Sequence, residues 1–177
     1  MRVIAGRLGG RSFDSPGTHR THPMSDKMRG ALFNILGDIE GLSALDVFAG
    51  TGALAFEALS RGAGQAVLCE NDRTAQQTVE RNIRSLGLTK HAQLVKASAN
   101  AWLQINPTVV FDLVLCDPPY DNLQESLIVR LTACVRSDGL LVLSWPGDVA
   151  LPTLPGFACI EQRSYGDGQL AFYRRIR

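Results

Sequence analysis

From Leu45 onward, short apolar runs alternate with amphipathic stretches along the chain. Apolar runs bounded by turn residues suit buried strands, and these are expected at Ala44–Phe48, Gln65–Glu70, Ala92–Lys96, Phe111–Cys116 and Leu140–Trp145. Between them, helical spacing predicts helices over about Ala53–Ser60, Thr74–Leu86, Ala99–Gln104 and Leu123–Val135. This alternation is the signature of βα units around a mostly parallel sheet. After Pro152 and Pro155 the pattern changes. Phe157–Arg163 and Gln169–Ile176 are separated only by Ser-Tyr-Gly-Asp-Gly, which leaves no room for a helix and predicts an antiparallel hairpin closing the sheet.

Upstream, Met28, Ala31, Leu32, Ile35 and Leu36 mark another helix, with Ser25 as its N-cap and Gly37 as its stop. Arg2–Ala5 and Arg11–Asp14, joined through Gly6, Gly9 and Gly10, read as a short hairpin, and a polar loop follows to Pro23. The expected organisation is a basic N-terminal hairpin and loop over residues 1–30 and one α/β domain over residues 31–177. No repeat or second linker interrupts it.

At 177 residues, with 45% hydrophobic and 20% charged positions, the chain can bury one sizeable core, and neither disorder nor a coiled coil fits. Cys69, Cys116, Cys134 and Cys159 lack CxxC spacing, which points to free thiols in a reducing compartment rather than a zinc site. No metal-ligand cluster is visible. The absence of an 18-residue apolar stretch and of an apolar N-terminal leader leads us to expect a cytoplasmic protein without a membrane span. The formal charge of +1 hides an asymmetry: residues 1–30 carry six bases and two acids, residues 31–173 nine bases and fifteen acids, and Arg174, Arg175 and Arg177 close the chain. Basic ends on an acidic body are compatible with a polyanionic partner.

The first strand of the α/β domain runs into Asp46-Val47-Phe48-Ala49-Gly50-Thr51-Gly52 and then a helix. Glycines there permit a sharp turn and close approach of backbone to a ligand. Glu70, at the end of the second strand, is placed to accept hydrogen bonds from ribose hydroxyls. Loop and acid together indicate an adenosine-containing cofactor, either NAD or S-adenosylmethionine (AdoMet). Asp46 favours AdoMet, because a buried carboxylate suits the ligand's ammonium and sulfonium and would repel a pyrophosphate.

The fourth strand ends in Asp117-Pro118-Pro119-Tyr120. Two prolines stop the ladder and hold Asp117 and Tyr120 rigidly at the carboxyl edge, where open α/β sheets bind ligands. This tetrapeptide resembles motif IV of the amino methyltransferases. The chemistry follows from the nucleophile: the lone pair of an exocyclic amine is delocalised into the ring. Accepting its two N–H bonds on the Asp117 carboxylate and the Pro118 carbonyl favours a pyramidal nitrogen, while Tyr120 stacks on the base. An NAD-dependent oxidoreductase and a noncatalytic RNA-binding module are the readings from other classes; Asp46 and the Pro-Pro turn oppose the first, and the glycine loop is unexplained by the second.

Across nearly the whole chain, Met1-Arg-Val-Ile-Ala-Gly, Pro23-x-x-Asp26-Lys-x-Arg29, Leu32-Phe-Asn34, Leu45-Asp-Val-Phe-Ala-Gly-Thr-Gly-Ala-Leu54, Glu57-Ala-Leu-Ser-Arg-Gly-Ala63, Glu70-Asn-Asp-Arg73, Asp117-Pro-Pro-Tyr120 and Gly168-Gln-Leu-Ala-Phe-Tyr173 resemble the bacterial RsmD family. The resemblance implies a Rossmann-like class I methyltransferase with a seven-stranded, mostly parallel sheet. It also implies AdoMet-dependent methylation of the N2 amine of a guanine in 16S rRNA, yielding S-adenosylhomocysteine without a metal. By matching position it assigns Asp46, Ala49, Gly50, Gly52, Glu70, Asn71, Ser98 and Ala99 to AdoMet and Asp117, Pro118, Pro119 and Tyr120 to the guanine. Arg7, Arg11, Arg20, His22 and Arg29 are candidates to grip RNA phosphates, contacts that position RNA without reading its sequence. The expected partner is 16S rRNA within a 30S subunit or assembly intermediate, and the expected state is a monomer. Three positions depart from the family: His22 stands where Arg is usual, Gly30 where an acid is usual, and Ser98 where Asn or Asp is usual. An adenine-N6 methyltransferase acting on DNA or RNA is the alternative that Asp-Pro-Pro-Tyr also permits.

Overall fold

The structure is a computed structural model and describes residues 1–17 and 24–176. Strands β1 (Ser43–Asp46), β2 (Gln65–Cys69), β3 (Ala92–Val95), β4 (Phe111–Cys116), β5 (Val135–Pro146), β6 (Phe157–Tyr165) and β7 (Gly168–Arg175) form one sheet, in the order β3-β2-β1-β4-β5-β7-β6. β1 to β5 pair in parallel. β7 runs antiparallel to both β5 and β6, so the hairpin expected from the close spacing of the last two strands closes the sheet. Helices α1 (Asp26–Leu36), α2 (Ala53–Ser60), α3 (Arg73–Ser85), α4 (Ala99–Ile105) and α5 (Glu125–Leu131) complete the fold. From β1 the chain builds outward through β2 and β3, then returns to place β4 on the other side of β1. That reversal leaves a crevice beyond the carboxyl ends of β1 and β4, where ligands bind in such sheets.

Successive side chains of a strand face opposite sides, and the core divides accordingly. Leu113 and Leu115 pack in one apolar layer with Leu32, Phe56, Leu68 and Phe172; Val114 and Cys116 pack in the other with Ile128, Leu141 and Trp145. Val3, Leu8 and Phe13 from the N-terminal segment belong to the first layer, and the Phe13 ring meets Phe56 edge-on with centroids 5.3 Å apart.

Two expectations are corrected. The N-terminal hairpin is shorter than expected: Arg2 pairs with Ser12, the Val3 amide donates to the Arg11 carbonyl at 2.9 Å and the Phe13 amide to the Met1 carbonyl at 3.0 Å, whereas the amides that follow turn to α2. Ile4 and Ala5 amides donate to the Glu57 carboxylate at 2.8 and 3.1 Å, the Arg7 amide to the Ser60 carbonyl and the Leu8 amide to the Ser60 hydroxyl. Gly6 (φ +81°) passes so close that a Cβ would lie 2.0 Å from the Ser60 carbonyl oxygen. The segment is therefore stitched to α2 and is not a projecting arm. In the second case, the helix expected over Leu123–Val135 stops at Leu131, followed by a 3-10 turn at Thr132–Cys134. β5 begins at Val135, earlier than the apolar run, because Val135 pairs with Phe111 and Arg136 bonds to Asp112 at 2.7 Å. The polar Ser137-Asp138-Gly139 stretch is absorbed as a register shift, with Asp138 at φ +63°.

Glu57 is fully buried and also accepts from Arg61 Nε at 2.7 Å, with Arg29 Nε at 4.0 Å. Removing one partner of such a cluster leaves uncompensated buried charge and costs about 3–5 kcal/mol. Glu57→Ala is accordingly expected to lower unfolding free energy by about that amount, measured by urea denaturation; a change within experimental error would show that the cluster does not anchor the segment.

Candidate active site

β1 delivers Asp46 to the crevice, and the chain then turns through Ala49, Gly50 (φ +54°) and Gly52 (φ +81°) into α2. The Ala49 amide donates to the Cys69 carbonyl at 3.0 Å and the Gly52 amide to the Ala49 carbonyl at 2.7 Å. A Cβ on Gly52 would sit 2.6 Å from the Phe56 ring, so glycine there answers both to backbone conformation and to space. Asp46 is buried, and its Oδ2 accepts from the Ala55 amide at 3.2 Å. Its Oδ1 has no hydrogen-bond partner among the described residues. Burial pushes the carboxyl up to about 7, opposed by the Ala55 amide and more weakly by that of Phe48, and reinforced by the charges of Asp117 and Glu70.

Glu70 lies just beyond β2 and buttresses the same loop. Its Oε2 accepts from the Gly50 amide and its Oε1 from the Asp72 amide, both at 2.7 Å, while its own carbonyl accepts from Gln76 Nε2 at 2.8 Å. Each carboxylate oxygen keeps acceptor capacity for a ligand hydroxyl. Asn71 is exposed beside it. Ser98 caps α4, its hydroxyl accepting from the Ala101 amide at 3.2 Å, and Ala99 is buried behind it. The serine that replaces the family's usual Asn or Asp is thus engaged with its own helix.

On the neighbouring strand, β4 ends at Cys116 and Asp117 follows, with Pro118 buried and Pro119 and Tyr120 exposed. Burial pushes the Asp117 carboxyl up to about 6, opposed by a hydrogen bond from Ser144 of β5. The Ser144 hydroxyl stands 3.0 Å from the Tyr120 hydroxyl. Either hydroxyl can donate in that pair, and Ser144 links the tyrosine to the neighbourhood of the Asp117 carboxylate. The phenol also rests against β7, since a Cβ on Gly168 would lie 2.5 Å from its oxygen. Burial raises the phenol's pKa, with Ser144 opposing and Asp117 and Asp167 adding to the rise. The crevice thus joins three carboxylates, an unpaired buried oxygen and a tyrosine held by three strands. Such a donor set fits a cationic ligand beside a planar amine.

The basic candidates separate. Arg7 is exposed and donates through Nε to the Leu59 carbonyl at 3.3 Å. Arg11 is exposed and donates to the Ser85 and Leu86 carbonyls at 2.6 and 3.3 Å, capping the C-terminal end of α3. Arg29 is fully buried, bonding to the Arg2 carbonyl at 2.8 Å and to Asp26 at 2.9 Å. The expectation that it grips phosphate is corrected, because its place in α1 turns it inward toward Glu57. Arg20 and His22 lie outside the described residues. Ser144 has no place in the sequence motifs, and Glu57 has one there without a role. The signal for Ser144 was a lone hydroxyl at the carboxyl end of an apolar strand, and for Glu57 an acid in an otherwise apolar helix. Among the described residues no cluster of His, Cys, Asp and Glu is placed to hold a metal ion, and no helix is long and apolar enough to cross a membrane.

Residues 1–174 match the family described as conserved hypothetical protein 95. YlbH of Bacillus subtilis, provisionally named an rRNA methyltransferase, is 34% identical over 99% of each chain. Ribosomal RNA small subunit methyltransferase D of Escherichia coli is 31% identical over 97% of this chain and 87% of its own length. Among solved structures, yhhF from Escherichia coli superposes with a TM-score of 0.90 at 31% identity, covering 99% of this chain and 98% of that one. SMU.776, described as complexed with S-adenosylhomocysteine, shares the fold at 14% identity, with a TM-score of 0.67 over 84% of this chain and 48% of that one.

Proposed function

The chain belongs to the RsmD family, and from that premise we propose that it transfers a methyl group from AdoMet to the exocyclic N2 amine of a guanine in small-subunit (16S) rRNA. The observation that carries the reading is the pairing of two adjacent strand ends: a buried carboxylate oxygen without a partner on Asp46, and the Asp117-Pro-Pro-Tyr turn braced by Ser144. A buried, unpaired carboxylate is costly unless a cation or donor completes it. The ammonium of AdoMet answers that need, and Gly50, Gly52 and Ala49 let the backbone approach it.

When bound, AdoMet supplies an electrophilic methyl group. The chain's own residues do the rest by alignment. Glu70 accepts from ribose hydroxyls, and Ser98, Ala99 and Asn71 border the adenine side. Asp117 and the Pro118 carbonyl accept the two N–H bonds of the guanine amine, Pro119 keeps the turn rigid, and Tyr120 stacks on the base. The ionised Asp117 takes up the amine proton as the new C–N bond forms, or passes it to water. Arg7 and Arg11, with Arg20 and His22, contact the RNA backbone, and the basic N-terminal segment contributes to target selection on a 30S particle.

Asp46 and Asp117 must both be ionised in this scheme, and both carboxyls are raised, to about 7 and about 6. Protonation on the acid side therefore removes function. The kcat/KM profile is expected to climb with pH, with a slope between one and two, and to level off above about pH 7; the values belong to the coupled pair. A flat profile from pH 5.5 to 8 would refute the requirement. The choice of nucleic acid is tested by offering labelled AdoMet with unmodified 16S rRNA, 30S particles or duplex DNA. Label is expected in the RNA-containing samples, and label in DNA alone would overturn the substrate.

A further inference from the structure

A cleft of about 770 Å³ opens on the β7 side of Tyr120, between the turn Gly147–Val149 after β5 and the β6–β7 turn at Gly166 and Asp167. Its size suits a nucleotide. The two turns are clamped together, since the Gly147 amide donates to the Asp167 carbonyl at 2.7 Å. The next residue, Gly168, is the one against which the Tyr120 phenol rests. Asp167 is thus fixed beside the proposed stacking platform. Its exposed carboxylate makes no hydrogen bond or ion pair among the described residues, although it acts on the Tyr120 phenol electrostatically. A carboxylate beside a cleft that receives a polyanion is unfavourable toward phosphate, so its favourable partner there is a donor on the base.

Resting on the guanine reading above, we infer that Asp167 is a specificity residue, whose carboxylate accepts the N1–H of the target guanine while Asp117 and Pro118 hold the N2 amine. A carboxylate is acceptor-only. Guanine presents N1–H and N2–H donors side by side, so two acceptors read that edge. Adenine carries a lone pair at N1, which Asp167 repels. Rejection works through the unpaired group, and a site built around a substrate donor discriminates strongly against an analogue lacking it. Ordinary turn chemistry at this position accepts Asn as readily as Asp, so Asp167→Asn keeps the turn and removes only the acceptor charge.

The test uses the full chain and 16S rRNA whose methylated guanine has first been located with the unaltered enzyme. Splint ligation then places 2-aminopurine, which keeps the 2-amine but has an unprotonated N1, at that nucleotide. The unaltered enzyme is expected to prefer guanine. In Asp167→Asn, kcat/KM on guanine is expected to fall at least about tenfold, as for loss of one charge-assisted hydrogen bond. The guanine to 2-aminopurine preference is expected to shrink by a similar factor, with AdoMet affinity unchanged. An equal fall on both bases, or an unchanged preference, would overturn the role of Asp167 and leave the guanine reading standing. Failure of the unaltered enzyme to methylate any guanine would overturn both.

Discussion

Asp117→Ala is expected to lower methyl transfer about a thousandfold or more while leaving AdoMet binding within a few-fold of normal. The carboxylate sits beyond β4, raised to about 6 by burial and opposed by Ser144, whose hydroxyl also meets that of Tyr120. Removing a single preorganised electrostatic group at a reacting centre costs about 10²–10³ in turnover, and under the proposed function the same group also orients the nucleophile and receives its proton. The AdoMet side, built on β1 and the end of β2, retains its own hydrogen bonds. Single-turnover transfer and calorimetric AdoMet titration on the same preparation separate the two effects. Near-normal turnover would remove Asp117 from the chemistry, and loss of AdoMet binding would recast it as part of the cofactor site.

Asp46→Asn is expected to act in opposite directions on stability and on binding. The folded-state carboxyl is raised from 3.8 to about 7, so the fold holds the proton more tightly than the unfolded chain does. Stability from this group is fully present below 3.8 and is lost as pH rises through about 7. At pH 8 an uncharged side chain relieves a cost whose ceiling is on the order of 4 kcal/mol. Leaving the new amide nitrogen unpartnered returns about 1–3 kcal/mol of that. The variant without ligand is therefore expected to unfold at higher urea at pH 8 and to show little gain at pH 5. Its AdoMet affinity is expected to fall about a hundredfold or more, because the ligand cation loses its buried counter-charge. A variant that binds AdoMet normally would contradict the assignment of the unpaired Oδ1 to that cation.

Much of the architecture was legible because it rests on local signals. Parallel strands buried on both faces read as apolar runs, and the short Ser-Tyr-Gly-Asp-Gly connection forced the final hairpin. The N-terminal hairpin is present, but its length was not legible, because Glu57 and Ser60, more than fifty residues away, take the amides of Ile4, Ala5 and Leu8. The early start of β5 likewise depends on Phe111 and Asp112 across the sheet. At the site, glycines and prolines marked the loops because their backbone constraints are local. Arg29 was misassigned for the opposite reason: its charge is visible in sequence, but the burial that pairs it with Glu57 and Asp26 is not. Ser144 became visible only when β5 was laid beside β4.

Under the proposed function, Asp46 and Asp117 mark the two halves of one methyl-transfer site directed at a guanine amine. Digesting 16S rRNA from 30S particles to nucleosides after incubation with the protein and isotopically labelled AdoMet tests it most directly, with mass spectrometry identifying the labelled species. Label is expected in N2-methylguanosine; label in N6-methyladenosine, with none in N2-methylguanosine, would contradict a guanine-directed site.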